Sequence, residues 1–199
     1  MFVTFEGLDG SGKTTQIELL KQLLEQEGRT VVTTREPGGT EVGEQVRKTV
    51  LHHHGRVAPW AEAMLFAAAR AQLVEEVIVP ALERGADVLS DRYIDSSLAY
   101  QGVARGLGVD RILEINLQAT RGILPDKTVL LLVDPAESRS RAKGDPDRME
   151  QESDEFVVRV DGAYRELAEL FPRRILAVDA TQEPQRLAQM IRGQLRHVS

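Results

Sequence analysis

The sequence predicts a three-layer α/β domain built on a parallel sheet of about five strands. Three observations carry this expectation. Short apolar runs alternate with segments of helical periodicity, with no repeat, linker or low-complexity tract between them. The run Thr128 to Val133 is apolar without alternation, as suits a parallel strand covered on both faces. The first strand candidate leads through a glycine-rich turn directly into a helical pattern. At 199 residues the chain is long enough for one well-buried domain spanning 1–199.

Phe2-Val3-Thr4-Phe5 reads as a buried strand, and Ile17, Leu19, Leu20, Leu23 and Leu24 fall at helical spacing, with Gly28 as the stop. Between them, Gly7-Leu8-Asp9-Gly10-Ser11-Gly12-Lys13-Thr14 fits the phosphate-loop pattern, with Thr15 continuing into the helix. The glycines let successive N–H groups curl around an anion, and the new helix points its positive end at the same place. Lys13 would reach the outer phosphates and the Thr14 hydroxyl would sit on a magnesium ion. Pattern and context together imply a nucleoside triphosphate ligand.

Val31-Val32-Thr33-Thr34 is a second strand, with Arg35 at the ligand-bearing edge of the sheet. Arg35 is either a surface residue or an anion clamp, and the phosphate loop beside it favours the clamp. Pro37-Gly38-Gly39 forbids regular structure, and Glu41 to Leu51 follows as a short amphipathic helix. His52-His53-His54 reads as a solvated helix end, because three consecutive histidines cannot all face one ion. Pro59 to Arg84 is the longest helical segment, with Pro80 expected to bend or break it. It is apolar on most sides from Ala63 to Val74, so burial nearly all round is expected, in part against another subunit. Phe66 and Arg70 lie four apart on one face, and an arginine in so apolar a helix needs partners.

Asp87-Val88-Leu89-Ser90 is the third strand, ending in Asp91-Arg92-Tyr93. Asp91 stands where a phosphate-loop enzyme holds magnesium, usually through water. Ser96 to Gly102 is an expected helix dense in hydrogen-bonding side chains, and Val109 to Thr120 is another helix. After the fourth strand, Ala136 to Glu150 reads by composition as a solvated charged loop carrying Arg139, Arg141, Lys143 and Arg148. Ser153 to Leu170 reads as a helix, Ile175 to Val178 as the fifth strand, and Pro184 to Arg196 as a closing helix.

Composition excludes several functions. A net charge of −6 argues against a general nucleic-acid binder. The absence of cysteine removes disulfides, thiolate metal sites and cysteine nucleophiles. No apolar run approaches a membrane span and no targeting segment opens the chain, so no membrane association and a cytoplasmic location are expected. A GTP-dependent switch would need an Asn-Lys-x-Asp stretch, but the single asparagine, Asn116, stands in Glu-Ile-Asn-Leu.

Four stretches in this order resemble the bacterial thymidylate kinase family: Phe5 to Thr15, Thr34 to Thr40, Asp91-Arg92-Tyr93 with Ala99-Tyr100-Gln101-Gly102, and Asp147-Arg148-Met149-Glu150. The resemblance implies a P-loop NTPase fold with a short lid at about 136–150, ATP and dTMP as substrates, Mg²⁺, and a homodimer. It implies that Phe66 stacks on thymine, Arg70 donates to O4, Gln101 pairs with N3, and Ser97 lines the methyl side. Tyr100 would lie under the deoxyribose, Asp9 would hold the 3′-hydroxyl, and Arg35 and Arg92 would clamp the acceptor phosphate. Adenine would lie near Thr181 and Gln182, under a lid arginine. The phosphate loop lacks the arginine some members carry there, so the transition-state cation would come from the lid: Arg139, Arg141 or Lys143. Arg141 is the expected one, alongside Lys13, Arg35 and Arg92.

Overall fold

The computed structural model describes residues 1–53, 55–141 and 146–196. Five parallel strands form one sheet in the order β2-β3-β1-β4-β5: β1 (Phe2–Glu6), β2 (Val31–Arg35), β3 (Asp87–Asp91), β4 (Lys127–Leu132) and β5 (Ile175–Asp179). The strands β1, β3 and β4 are buried along most of their length because helices cover both faces of the sheet. One layer is packed around Leu20, Leu24, Phe5 and Ile191. The larger layer on the other face gathers Leu73, Ile78, Val88, Tyr93 and Val160. Register sets the chemistry at one edge, since Phe5 pairs with Asp91 and Arg35 pairs with Asp91 from the other side. The carboxyl ends of β1, β2 and β3 therefore open into the same crevice.

The helices are α1 (Lys13–Gln26), α2 (Glu41–His52), α3 (Pro59–Leu73), α4 (Val79–Glu83), α5 (Ile94–Ser97), α6 (Val109–Ala119), α7 (Pro135–Arg141), α8 (Asp154–Leu170) and α9 (Pro184–Gln194). Side-chain caps start α2 and α8: Thr40 Oγ1 accepts from Gly43 N, and Ser153 Oγ accepts from Phe156 N.

The structure modifies four expectations. The long helix is not broken at Pro80. A π-helical turn, Val74–Ile78, separates α3 from α4 instead. Pro80 has no N–H to give to the turn before it, and Val79 N reaches back to Val74 O, so the chain widens by a residue and continues. The segment from Ser96 is likewise part α-helix and part π-helix, the latter over Leu98–Ala104. Residues 136–141 are helical rather than loop, because Asp134 Oδ1 accepts from Ala136 N at 2.9 Å and Pro135 presets the first turn. Finally, the chain's own core does not bury α3 all round: Met64, within the apolar run, is 51% exposed, and Trp60, just before it, 38%. His52 and His53 are exposed at the end of α2; His54, and Lys143 of the lid, lie outside the described residues.

Candidate active site

The phosphate loop turns where the sequence places it. Gly7, Gly10 and Gly12 all have positive φ, and a Cβ on Gly7 would stand 2.5 Å from the Leu131 carbonyl oxygen of β4. Only glycine lets the loop pass that close to the sheet. Lys13 folds back over its own loop, Nζ donating to Leu8 O at 2.9 Å and Gly7 O at 3.2 Å. Burial and the neighbouring Arg92 push its ammonium below the ordinary lysine value. Thr14 Oγ1 donates to Asp91 Oδ2 at 3.1 Å, so the hydroxyl and carboxylate expected near a cation do meet.

Around this loop lies an open cleft enclosing about 1230 Å³, lined by Gly10, Gly12, Lys13, Thr14, Thr15, Arg35, Asp91, Arg92 and Arg141. Gly7 and Ser11 are buried behind it, and Leu8 faces a side cavity with Arg139. Arg35 is 57% exposed and pairs with Glu44 at 3.2 Å. Arg141 donates to Ala180 O at 3.2 Å and pairs with Glu137 of its own helix, bringing one lid cation to the cleft's edge. Arg139 turns elsewhere, to Asp154 at 2.7 Å and Glu152 O at 2.9 Å. Thr181 lies beside Asp179, which accepts from its N at 2.9 Å, and Gln182 is exposed next to it.

A second cleft of about 550 Å³ adjoins the first and shares Asp9, Glu36, Arg47 and Arg92 with it. Phe66, Arg70, Ser97, Tyr100 and Gln101 line it, as the sequence groups them. Arg92 is the hinge between the two clefts. Its backbone is left-handed, φ 71°, which swings the side chain off the end of β3. Its guanidinium pairs with Asp9 at 2.6 Å, donates to Ser96 Oγ and Tyr164 Oη at 3.0 and 3.1 Å, and lies 5.3 Å over the Tyr100 ring. Burial works to raise the Asp9 carboxyl, but Arg92 and Lys13 pull it down to about 2. Behind them, Glu6 accepts from Tyr93 N at 2.8 Å, Ser96 Oγ at 2.6 Å and Tyr164 Oη at 2.9 Å.

Arg70 finds more partners than a base donor needs. Its Nε donates to Glu36 at 2.6 Å, Nη1 to Ser97 Oγ at 3.0 Å and to Asn116, and Nη2 to Tyr93 O at 3.0 Å. Four hydrogen bonds thus hold the guanidinium, and Nη2 also lies against the Glu36 carboxylate. A base reaching Nη1 would compete with Ser97 and Asn116.

Sequence reasoning missed four residues here. Glu36 is buried in the cleft wall, its carboxyl raised by burial against the pull of Arg70, and its Oε1 has no hydrogen-bond partner among the described residues. Arg47 lines both clefts and donates to Pro37 O at 3.0 Å. Asn116 and Glu62 complete the set, the latter accepting from Gln101 Nε2 at 2.8 Å. Glu36 stands inside the Thr34 to Thr40 stretch but was given no role there; Arg47, Glu62 and Asn116 sit on helices, where a polar letter carries no spacing signal.

The model of the family described as thymidylate kinase matches residues 5–191. A thymidylate kinase of Clavibacter michiganensis is 51% identical over 195 residues, covering 96% of this chain and 92% of that one. One from Bifidobacterium longum is 52% identical over 186 residues, covering 92% and 90%. The crystal structure of thymidylate kinase from Ehrlichia chaffeensis superposes with a TM-score of 0.82 at 31% identity, over 98% of both chains. With nearly the whole chain matched in sequence and in fold, the chain belongs to the thymidylate kinase family.

Proposed function

We propose that this chain transfers the γ-phosphoryl group of ATP to dTMP, giving dTDP and ADP. The observation that carries this reading is the pair of adjoining clefts, one on the phosphate loop and one walled by an aromatic ring and an amide, joined through Arg92 and Asp9. Phosphoryl transfer asks the protein to hold two anions in line and neutralise the charge between them. A dTMP phosphate oxygen attacks the γ-phosphorus as the bond to the β-phosphate oxygen breaks. No side chain need remove a proton, since the attacking phosphate is already an anion.

Lys13 bears on the transferred phosphate, Arg35 and Arg92 on the acceptor phosphate, and Arg47 joins them from the shared wall. Arg141 supplies the lid cation, its place on the phosphate cleft favouring it over Arg139. Phe66 stacks on the base, Gln101 reads its N3, Ser97 lies at the methyl, Tyr100 supports the sugar and Asp9 its 3′-hydroxyl. Arg70 addresses O4 from the same wall, and Thr181 and Gln182 border adenine. The paired Thr14 hydroxyl and Asp91 carboxylate are hard oxygen donors of the kind Mg²⁺ takes, one or two from protein and the rest from phosphates and water. When bound there, Mg²⁺ would neutralise phosphate charge. The whole chain acts as one domain with its lid at about 136–150, as a homodimer in the cytoplasm. No helix among the described residues is long and apolar enough to cross a membrane.

A coupled ADP-release assay over a panel of monophosphates tests this. dTMP should be best and dUMP weaker, the missing methyl costing about 1–3 kcal/mol. Release with AMP or dGMP equal to that with dTMP would overturn the substrate.

A further inference from the structure

Glu62, on α3, has no exposed surface. Its oxygens take four donors: Oε1 accepts from Gln101 Nε2 at 2.8 Å and Arg105 Nε at 3.2 Å, and Oε2 accepts from Arg105 Nη2 at 3.1 Å and Arg148 Nη2 at 2.7 Å. Burial works to raise this carboxyl, but the hydrogen bonds from Arg105 and Gln101 and the Arg105 charge hold it below the ordinary value. An ionised carboxylate can only accept. The Gln101 amide must therefore meet it with its NH₂ group, because a reversed amide would set carbonyl oxygen against carboxylate. That leaves Gln101 Oε1, which takes no hydrogen bond among the described residues, on the side of the cleft it shares with Phe66, Ser97 and Tyr100.

We propose that Glu62 is a specificity-determining positioning residue: by fixing the Gln101 amide in one orientation, it makes the cleft present an acceptor to the ring nitrogen of the base. This rests on the reading of Gln101 as base-facing. A pyrimidine whose N3 carries hydrogen, thymine or uracil, satisfies that acceptor. Cytosine offers a lone pair at N3, so two acceptors would face each other without a proton between them. A glutamine alone does not discriminate, since a free amide turns over and serves either ring. The choice lies in the carboxylate behind it. Arg105 keeps that carboxylate in place from a second side, paired also with Glu152 at 2.6 Å and lying 4.6 Å over the Phe156 ring.

The test compares kcat/KM for dTMP and dCMP in the wild type, Glu62→Gln and Gln101→Leu. The glutamine at 62 can offer either end of its amide to Gln101, so the lock is lost while the shape is kept. The dTMP-to-dCMP ratio should narrow by about tenfold or more in Glu62→Gln, with dCMP turnover rising in absolute terms and the KM for ATP nearly unchanged. A carboxylate that served only the fold would lower both substrates together. A wild-type ratio in Glu62→Gln, with a narrowed ratio in Gln101→Leu, overturns the proposal. An unchanged ratio in Gln101→Leu removes the reading of Gln101 itself, and the proposal with it. If Glu62→Gln does not fold, the wild-type protein decides. Its Gln101 side-chain amide protons, assigned by their loss in Gln101→Leu, should exchange about tenfold or more slowly than those of exposed glutamines. Exchange at the exposed rate overturns the lock.

Discussion

Lys13 Nζ is bound to the carbonyls of its own loop and is buried, with the Asp9 carboxylate 3.7 Å away. Methionine is apolar and of similar length, so Lys13→Met should suit this buried site, leave the fold intact and remove a charge felt mainly at the transferred phosphate. Loss of one such contact costs on the order of 3 kcal/mol, roughly a hundredfold or more in turnover. Turnover within a few-fold of wild type, by ADP release, would contradict this. Glu6 behaves differently. Burial and the nearby Asp95 push its carboxyl up to about 7, against Arg92, Ser96 and Tyr164. The folded chain thus keeps a proton there over a range where the unfolded chain has released it. That contribution to stability is complete below the ordinary carboxylate range and is lost as the pH rises through about 7. Carbon-13 titration should find one carboxyl turning over near pH 7 that is absent from Glu6→Gln, and a Glu6 titration below pH 5 would contradict it. The phosphate-loop residues were legible because their spacing is itself the chemistry. Glu6 and Glu62 were not, since burial and partners give a carboxylate its role and neither shows in a letter.

The elements were legible to within a residue or two at their ends, with the differences concentrated at two π-helical turns and at α7. Periodicity distinguishes helix from strand but cannot register a single extra residue per turn. The turn over Leu98–Ala104 lies where Tyr100 and Gln101 enter the cleft, so the irregularity falls on side chains that line it. At α7 the signal was present in Asp134-Pro135, a cap and a preset first turn, and the charged letters that follow obscured it. Because α7 delivers Arg141 to the phosphate cleft, Arg141→Ala should lower turnover more than tenfold while dTMP affinity, by calorimetry, stays nearly unchanged. A matching loss in Arg139→Ala would shift the role, since Arg139 is held by Asp154 and Glu152.

At the scale of the molecule, the strand order brings the ends of β1, β2 and β3 together, so residues from positions 9, 35 and 92 reach one crevice. The alternation of elements predicted that architecture. The apolar character of α3 was legible as well, but not how much of it the chain's own core covers, because an apolar helix reads the same whether its partner is its own core or another copy. Trp60 and Met64 lie four apart on that strip and are exposed. Met64→Asp should turn a homodimer into monomers by light scattering at micromolar concentration, since a carboxylate buried between subunits lacks a partner. A dimeric mass for the variant would move the interface elsewhere.

The four donors on Glu62 also bind its history. Arg148, besides pairing with Glu62, donates to Val50 O at 2.7 Å, so one carboxylate links α2, α3 and the segment at Arg148 to the Gln101 amide. A single mutational step at position 62 removes the carboxylate that all four donors share. A lineage can then drift toward another base only by changing several of these positions in concert. Among homologues, positions 62, 101, 105 and 148 are expected to covary as a block, with intermediates rare.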